Sequence, residues 1–155
     1  KQMSDKIDVK VAEGVLFGVY KSLYNIAGAS SAAIMRQAAP LILEELGSLG
    51  VDFSCVDDIS KLESKLGETL VSSGACDAIN FSLDGNVLTA SIQGCAFYDL
   101  TRKLKEIGIP PFGCPFAALT IAISEKNLGK RARLVHLAPT EGGTEGDTTL
   151  KVELQ

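Results

Sequence analysis

Apolar side chains recur three and four residues apart from Val9 to Ile26, at Val11, Val15, Leu16, Val19, Tyr20, Leu23 and Tyr24. That spacing predicts an amphipathic helix. Gly14 and Gly18 sit four apart on one side of it, and each costs about 1 kcal/mol against alanine in a helix interior. They fit a place where another backbone comes close, within the chain or between two copies, or are simply two small residues. Gly28 ends this helix, and Ser30 or Ser31 can cap the next. Ser31 to Leu46 is helical in pattern, with Pro40 expected to kink or break it. A third helix begins near Asp57 or Asp58. Ser60-Lys61-Leu62-Glu63 suits a capping box, Ile59, Leu62, Leu66 and Leu70 form the stripe, and Gly74 stops it.

The period then changes to two. Ala75 to Leu83 alternates, with Ile79, Phe81 and Leu83 on one face, and Val87 to Gln93 alternates with Leu88, Ala90 and Ile92 inward. Asp84-Gly85 lies between the runs, so the pair is predicted to be a hairpin. Phe97 to Ile107 returns to helical spacing. A stiff loop from Gly108 to Gly113 follows, and Phe116 to Asn127 is apolar nearly all round, as a buried helix is. Pro115 suits the first helical position because its missing N–H has no partner there anyway. Lys130 to Ala138 and Thr148 to Leu154 are strands, joined by a Gly- and Thr-rich loop expected to be mobile. The order ααα-ββ-αα-ββ predicts an α+β fold with an antiparallel four-stranded sheet covered by helices. No linker divides the chain, so one domain is expected, helical over about 9–74 and sheet-containing over about 75–154.

Composition narrows the function. The chain has 155 residues, 46% of them hydrophobic and 22% charged, and a formal net charge of −4. Global disorder is excluded, and the acidic balance disfavours nucleic-acid binding by phosphate neutralisation. The longest apolar stretch, Phe112 to Ile123, is too short to span a membrane. The polar start does not read as a secretory signal, so a cytoplasmic location is expected. The four cysteines, Cys55, Cys76, Cys95 and Cys114, contain no C-x-x-C pair. Zinc-ribbon and thioredoxin-like motifs are therefore absent.

Candidate chemistry is sparse. Cys114 stands at a predicted helix N-cap, where free N–H groups and the helix dipole would favour its thiolate. The lone histidine, His136, shares a predicted strand face with Ala132 and Leu134, the pattern of a half-buried structural residue. A Cys114–His136 pair forms only if the fold joins them. Lys130, Arg131 and Arg133 make a basic spot suited to a carboxylate or phosphate, or to a solvated strand edge. The loop with Gly142, Gly143 and Gly146 is neither a Walker loop nor a dinucleotide fingerprint.

From Asn86 to Leu154 the chain is similar to the 4-vinyl reductase domain. The resemblance rests on a strand ending in Gly94-Cys95-Ala96-Phe97, a short helix, Cys114 opening a buried helix, Leu128-Gly129-Lys130 leading into a strand, and Gly146-Asp147 before the last strand. That domain shares a superfamily with the small subunits of the TRAPP vesicle-tethering complex and with haem-based nitric-oxide sensors, and the helices upstream also fit. The resemblance implies an α+β fold, small hydrophobic ligands and dimerisation through helices. Cys95 and Cys114 match two cysteines typical of the domain, whereas two later ones have no counterpart: His136 to Pro139 contains none, and Leu150 stands at the other position. His136 is not placed as the haem ligand of the sensors is, so haem is not expected.

Together these readings predict a non-enzymatic module, with no catalytic residues, that binds a small hydrophobic molecule and forms a homodimer through its N-terminal helices. The apolar helix surface exceeds what a thin two-layer domain needs, which favours a cavity or a dimer seam. The expected ligand-contacting residues are Cys95, Phe97, Phe112, Cys114, Phe116, Leu134 and His136. No cofactor is assigned, although a zinc site can be drawn from Cys95, Cys114 and His136. A cysteine-based metal or redox sensor and a dimeric scaffold are the alternatives.

Overall fold

Capping decides where the helices start and stop. The computed structural model describes residues 8–110 and 114–155, with only the backbone of Met35. Helix α1 (Val9–Ala27) begins at Asp8, whose carboxylate accepts from the Lys10 N–H at 2.8 Å. It ends at Gly28, whose φ of 54° few side chains tolerate. A short 3-10 turn, Gly28–Ser30, leads into α2 (Ser31–Ser48). Pro40 lies inside α2 without ending it, on an exposed position. Helix α3 (Ile59–Ser72) is capped by Asp58, which accepts from the Lys61 N–H at 2.8 Å. The cap is thus this aspartate, and Ser60 to Glu63 lie already within the first turns.

The alternating runs form β1 (Ala78–Asp84) and β2 (Val87–Gln93), paired antiparallel with Phe81 opposite Ala90. Helices α4 (Tyr98–Glu106) and α5 (Pro115–Asn127) follow, then β3 (Ala132–Pro139) and β4 (Thr148–Leu154). The sheet order is β1-β2-β4-β3, antiparallel throughout. Its inner face carries Phe81, Leu88, Ala90, Ile92, Leu150, Val152 and Leu154, all buried. Helix α5 packs on β3 and β4 and is crossed on its other side by α2, while α3 covers β1 and α1 packs on α4. The mixed α+β class and the element order are as the sequence predicts. Among the described residues no single helix is long and apolar enough to cross a membrane.

The β3–β4 connection is held by its own side chains rather than being loose. The Asp147 carboxylate accepts from the Thr144 N–H and hydroxyl, both at 3.0 Å. The Gly146 carbonyl accepts from the Cys95 N–H at 2.9 Å, which clamps the loop onto the turn after β2. That turn is built on Gly94, with φ 61°. A methyl group there would collide with the Asp77 carboxylate and lie 3.1 Å from the Asp77 Cβ. Gly94→Ala therefore adds a strained φ of about 1–2 kcal/mol to an overpacking cost of about 1–3 kcal/mol. Urea unfolding should show a loss of about 2–5 kcal/mol, and Asp77→Ala in the same chain should recover part of it. Equal losses in the single and double variants would mean that the clash contributes nothing.

Candidate functional site

Two neighbouring features arise where α5 meets its surroundings. The first is a buried group of thiols and aromatic rings. Cys114 occupies the N-cap of α5 in extended conformation, with Pro115 in the first turn, and Cys95 follows Gly94 directly after β2. Both are buried, at 5% and 6% exposure. Their proximity registers in their titration: burial, and then the neighbouring Cys114, push the Cys95 thiol up to about 12, against a weaker opposing hydrogen bond from the Phe97 N–H. Burial and then Cys114 also push Tyr20 of α1 up to about 12. The Phe97 and Phe116 rings meet edge to face, 5.9 Å between centroids at 74°.

This environment reverses the expectation for Cys114. Its pKa is raised by burial, although the amides of Phe116 and Ala117 act in the opposite direction. A helix terminus favours an anion by about 0.3–1 kcal/mol at the surface, whereas enclosing a charge costs several kcal/mol. Enclosure wins, and the sulfur is held as a thiol. Cys76 is likewise raised, by burial and then by Asp77. Cys55 is exposed.

The second feature is an open cleft of about 930 Å³ between α2, α5, β3 and the turn after α4. Its walls are short side chains: Ala29, Ala32, Ala33 and Ala39 on one side, and Ala117, Ala118 and Ile121 of α5 on the other. Residues Ala132 to Ala138 of β3 and Gly108 to Pro110 complete it. Alanine on facing surfaces lets backbones approach, yet leaves unfilled what leucine would occupy. The volume lies within the range of small-molecule sites.

A bulge shapes the β3 wall. Leu134 pairs with Val152 but His136 pairs with Lys151, so Val135 is the extra residue. The inward set is then Ala132, Leu134 and Leu137, while His136 moves to the opposite face beside Lys151 and is exposed. The expectation that His136 shares a face with Ala132 and Leu134 is overturned by this one added residue.

Of the predicted site residues, Cys95, Phe97, Cys114 and Phe116 come together inside, while Leu134 and His136 line the cleft on β3. Phe112 lies outside the described residues. Among the described residues no three His, Cys, Asp or Glu side chains are grouped to hold a metal ion. The exposed His136 does not converge with the two buried thiols, so the zinc set drawn from them is not assembled. The basic spot is partly neutralised, since Arg133 pairs with Glu153 at 2.7 Å. Sequence reasoning missed the alanines of α2; their signal was the run Ala29 to Ala33, nearly free of large side chains.

Comparison with known proteins adds three findings. The family model described as "Putative rubredoxin C-terminal domain" matches residues 12–151. No curated protein matches the chain. Among solved structures, a trafficking protein particle complex subunit 3 from Naegleria fowleri, covalently bound to palmitic acid, is similar with a TM-score of 0.53 at 11% identity, over 94% of this chain and 96% of that one. At this identity the likeness concerns the fold, which is of the trafficking-complex subunit type.

Burial makes the thiols testable. Cys55 should react with a chromogenic disulfide at the rate of a free thiol, and Cys76, Cys95 and Cys114 only on unfolding. A rapid second equivalent from the folded chain would contradict the enclosure. Cys95 and Tyr20 keep their protons to about 12, whereas their ordinary values are 9.0 and 10.0. The unfolded chain releases these protons first, so their contribution is complete below about pH 9 and is lost as pH rises towards 12. Melting temperature should therefore fall across that window, and less steeply in Cys95→Ala. A slope unchanged by this substitution would count against the assignment.

Proposed function

The chain belongs to the family of the "Putative rubredoxin C-terminal domain", and from that premise we propose that it is a non-enzymatic module that binds a small hydrophobic molecule, of the 4-vinyl reductase-like kind. The observation that carries the reading is the alanine-walled cleft of about 930 Å³. Each buried methylene contributes about 0.8 kcal/mol, so a ten-carbon chain gains roughly 8 kcal/mol before ordering costs. No catalytic group is needed for such binding. The fold relative that carries a covalent palmitate supports an apolar ligand in this architecture. Leu134 lines the ligand, and the Cys95–Phe97–Cys114–Phe116 group forms the packed wall behind α5. Cysteines that are free and mostly buried suit a reducing cytoplasm.

A dimer through α1 is the second reading, and a specific observation favours it. Val11, Val15, Val19 and Ile26 are 54–86% exposed along one face of α1, with Gly14 and Gly18 between them. A Cβ at either glycine meets nothing within 4 Å. The face carries no charge, and a second copy of α1 could lie close against it.

Two experiments test these readings. Native mass spectrometry after gentle purification, followed by titration with decanol, should show one apolar molecule per chain. Ala118→Phe, which places a ring in the cleft, should weaken decanol binding at least tenfold. A chain that binds no apolar probe, or a variant that binds as before, would defeat the first reading. Gly14→Leu with Gly18→Leu should turn the dimer into a monomer in light scattering without loss of melting temperature, because both positions are open within one chain. A dimer that survives removes α1 from the interface.

A further inference from the structure

The cleft is apolar in its walls but not neutral at its rim. Among the described residues its lining includes Arg36, Lys105, Arg133 and His136 and no aspartate or glutamate, although the whole chain has 19 acidic and 15 basic residues excluding histidine. Two of the cations are engaged elsewhere. Arg36 is paired with Glu125, and Arg133 with Glu153. Lys105 and His136 form no ion pair among the described residues.

Lys105 is not needed by its own helix either. A lysine in a last turn ordinarily offsets the free carbonyls there. In α4 the carbonyls of Lys103, Leu104 and Lys105 already accept from Ile107, Ile109 and Gly108, at 3.2, 2.9 and 3.0 Å. Lys105 is exposed and lines the cleft. On the β3 side the bulge turns His136 outward, opposite Lys151 of the neighbouring β4, and His136 is also among the residues that line the cleft.

We infer that the cleft takes an amphiphilic anion, an unbranched alkyl carboxylate, with its chain between the alanine walls of α2 and α5 and its carboxylate at the rim beside Lys105 and His136. The inference rests on the hydrophobic-ligand reading and adds to it the charge and the orientation of the ligand. A carboxylate at an apolar mouth takes charge-assisted hydrogen bonds from an ammonium and an imidazole N–H. A neutral head group gains less there, and an ammonium head group is repelled.

The test compares three ten-carbon probes, decanoate, decanol and decylammonium, by displacement of a neutral fluorescent naphthylamine at pH 7.5 and low salt. Decanoate should bind about tenfold more tightly than decanol, and decylammonium least. Lys105→Gln with His136→Gln is read as the ratio of decanoate to decanol affinity within the same chain, so that any change common to both probes cancels. The preference for decanoate should then fall below about twofold. Equal binding of decanoate and decanol to the natural chain would overturn the anion inference and leave the hydrophobic reading intact. A preference that survives the double substitution would overturn the assignment of Lys105 and His136. Failure of all three probes would overturn both readings together.

Discussion

Everything in this fold is arranged around the burial of α5. Eight of its residues, from Phe116 to Ser124, are buried, because β3 and β4 lie on one side of it and α2 on the other. A polar side chain buried on this helix costs free energy unless it is hydrogen-bonded. Thr120 donates its hydroxyl to the Phe116 carbonyl at 2.8 Å, whereas the buried Ser124 hydroxyl has no hydrogen-bond partner among the described residues. The C-terminal end then ties the layers together: Asn127 donates to the Phe53 carbonyl at 2.7 Å, and Glu125 accepts from the Ala132 N–H at 3.2 Å while pairing with Arg36 of α2. One glutamate thus joins α2, α5 and β3, the three elements whose surfaces form the cleft.

The same helix explains why a compact core and an open cleft coexist. Where α5 carries Phe116 and Ile123, both at 1% exposure or less, the packing is complete. Loss of the Phe116 ring would cost about 3–5 kcal/mol. Where it carries Ala117 and Ala118 opposite the alanines of α2, the helices approach without filling the space between β3 and the turn after α4. The cleft follows from short side chains on surfaces fixed elsewhere by long ones.

The elements of strong period were legible in the sequence. Alternation with Asp84-Gly85 gave the hairpin and its inward face, and the continuous apolar run gave a buried α5. The candidate site was legible only in part, and for definable reasons. Cys95 with Cys114 and Phe97 with Phe116 are brought together by contacts between elements distant in sequence, yet their types and positions singled them out. The consequence for Cys114 was not legible, because a helix N-cap says nothing about how deeply the sulfur is enclosed. Nor could periodicity reveal the bulge at Val135, which moves His136 to the other face by one residue. The helix starts at Asp58 because its carboxylate reaches the Lys61 N–H, a choice between adjacent aspartates that pattern alone left open.

These departures share a direction. Enclosure converts Cys114 from a reactive feature into part of a wall, and the bulge converts His136 from a packed residue into one at the rim. The surface where α4 and β3 border the alanine walls, rather than the enclosed thiols, is the part of the site open to a ligand. Under the proposed reading, burial of apolar area there, and no reactive atom, would supply the binding energy. Charge at the rim would then act on selectivity, because charge contributes mainly to discrimination when apolar burial already provides affinity. In that reading a change of rim residues would alter ligand choice without disturbing the α5 layer that holds the fold together.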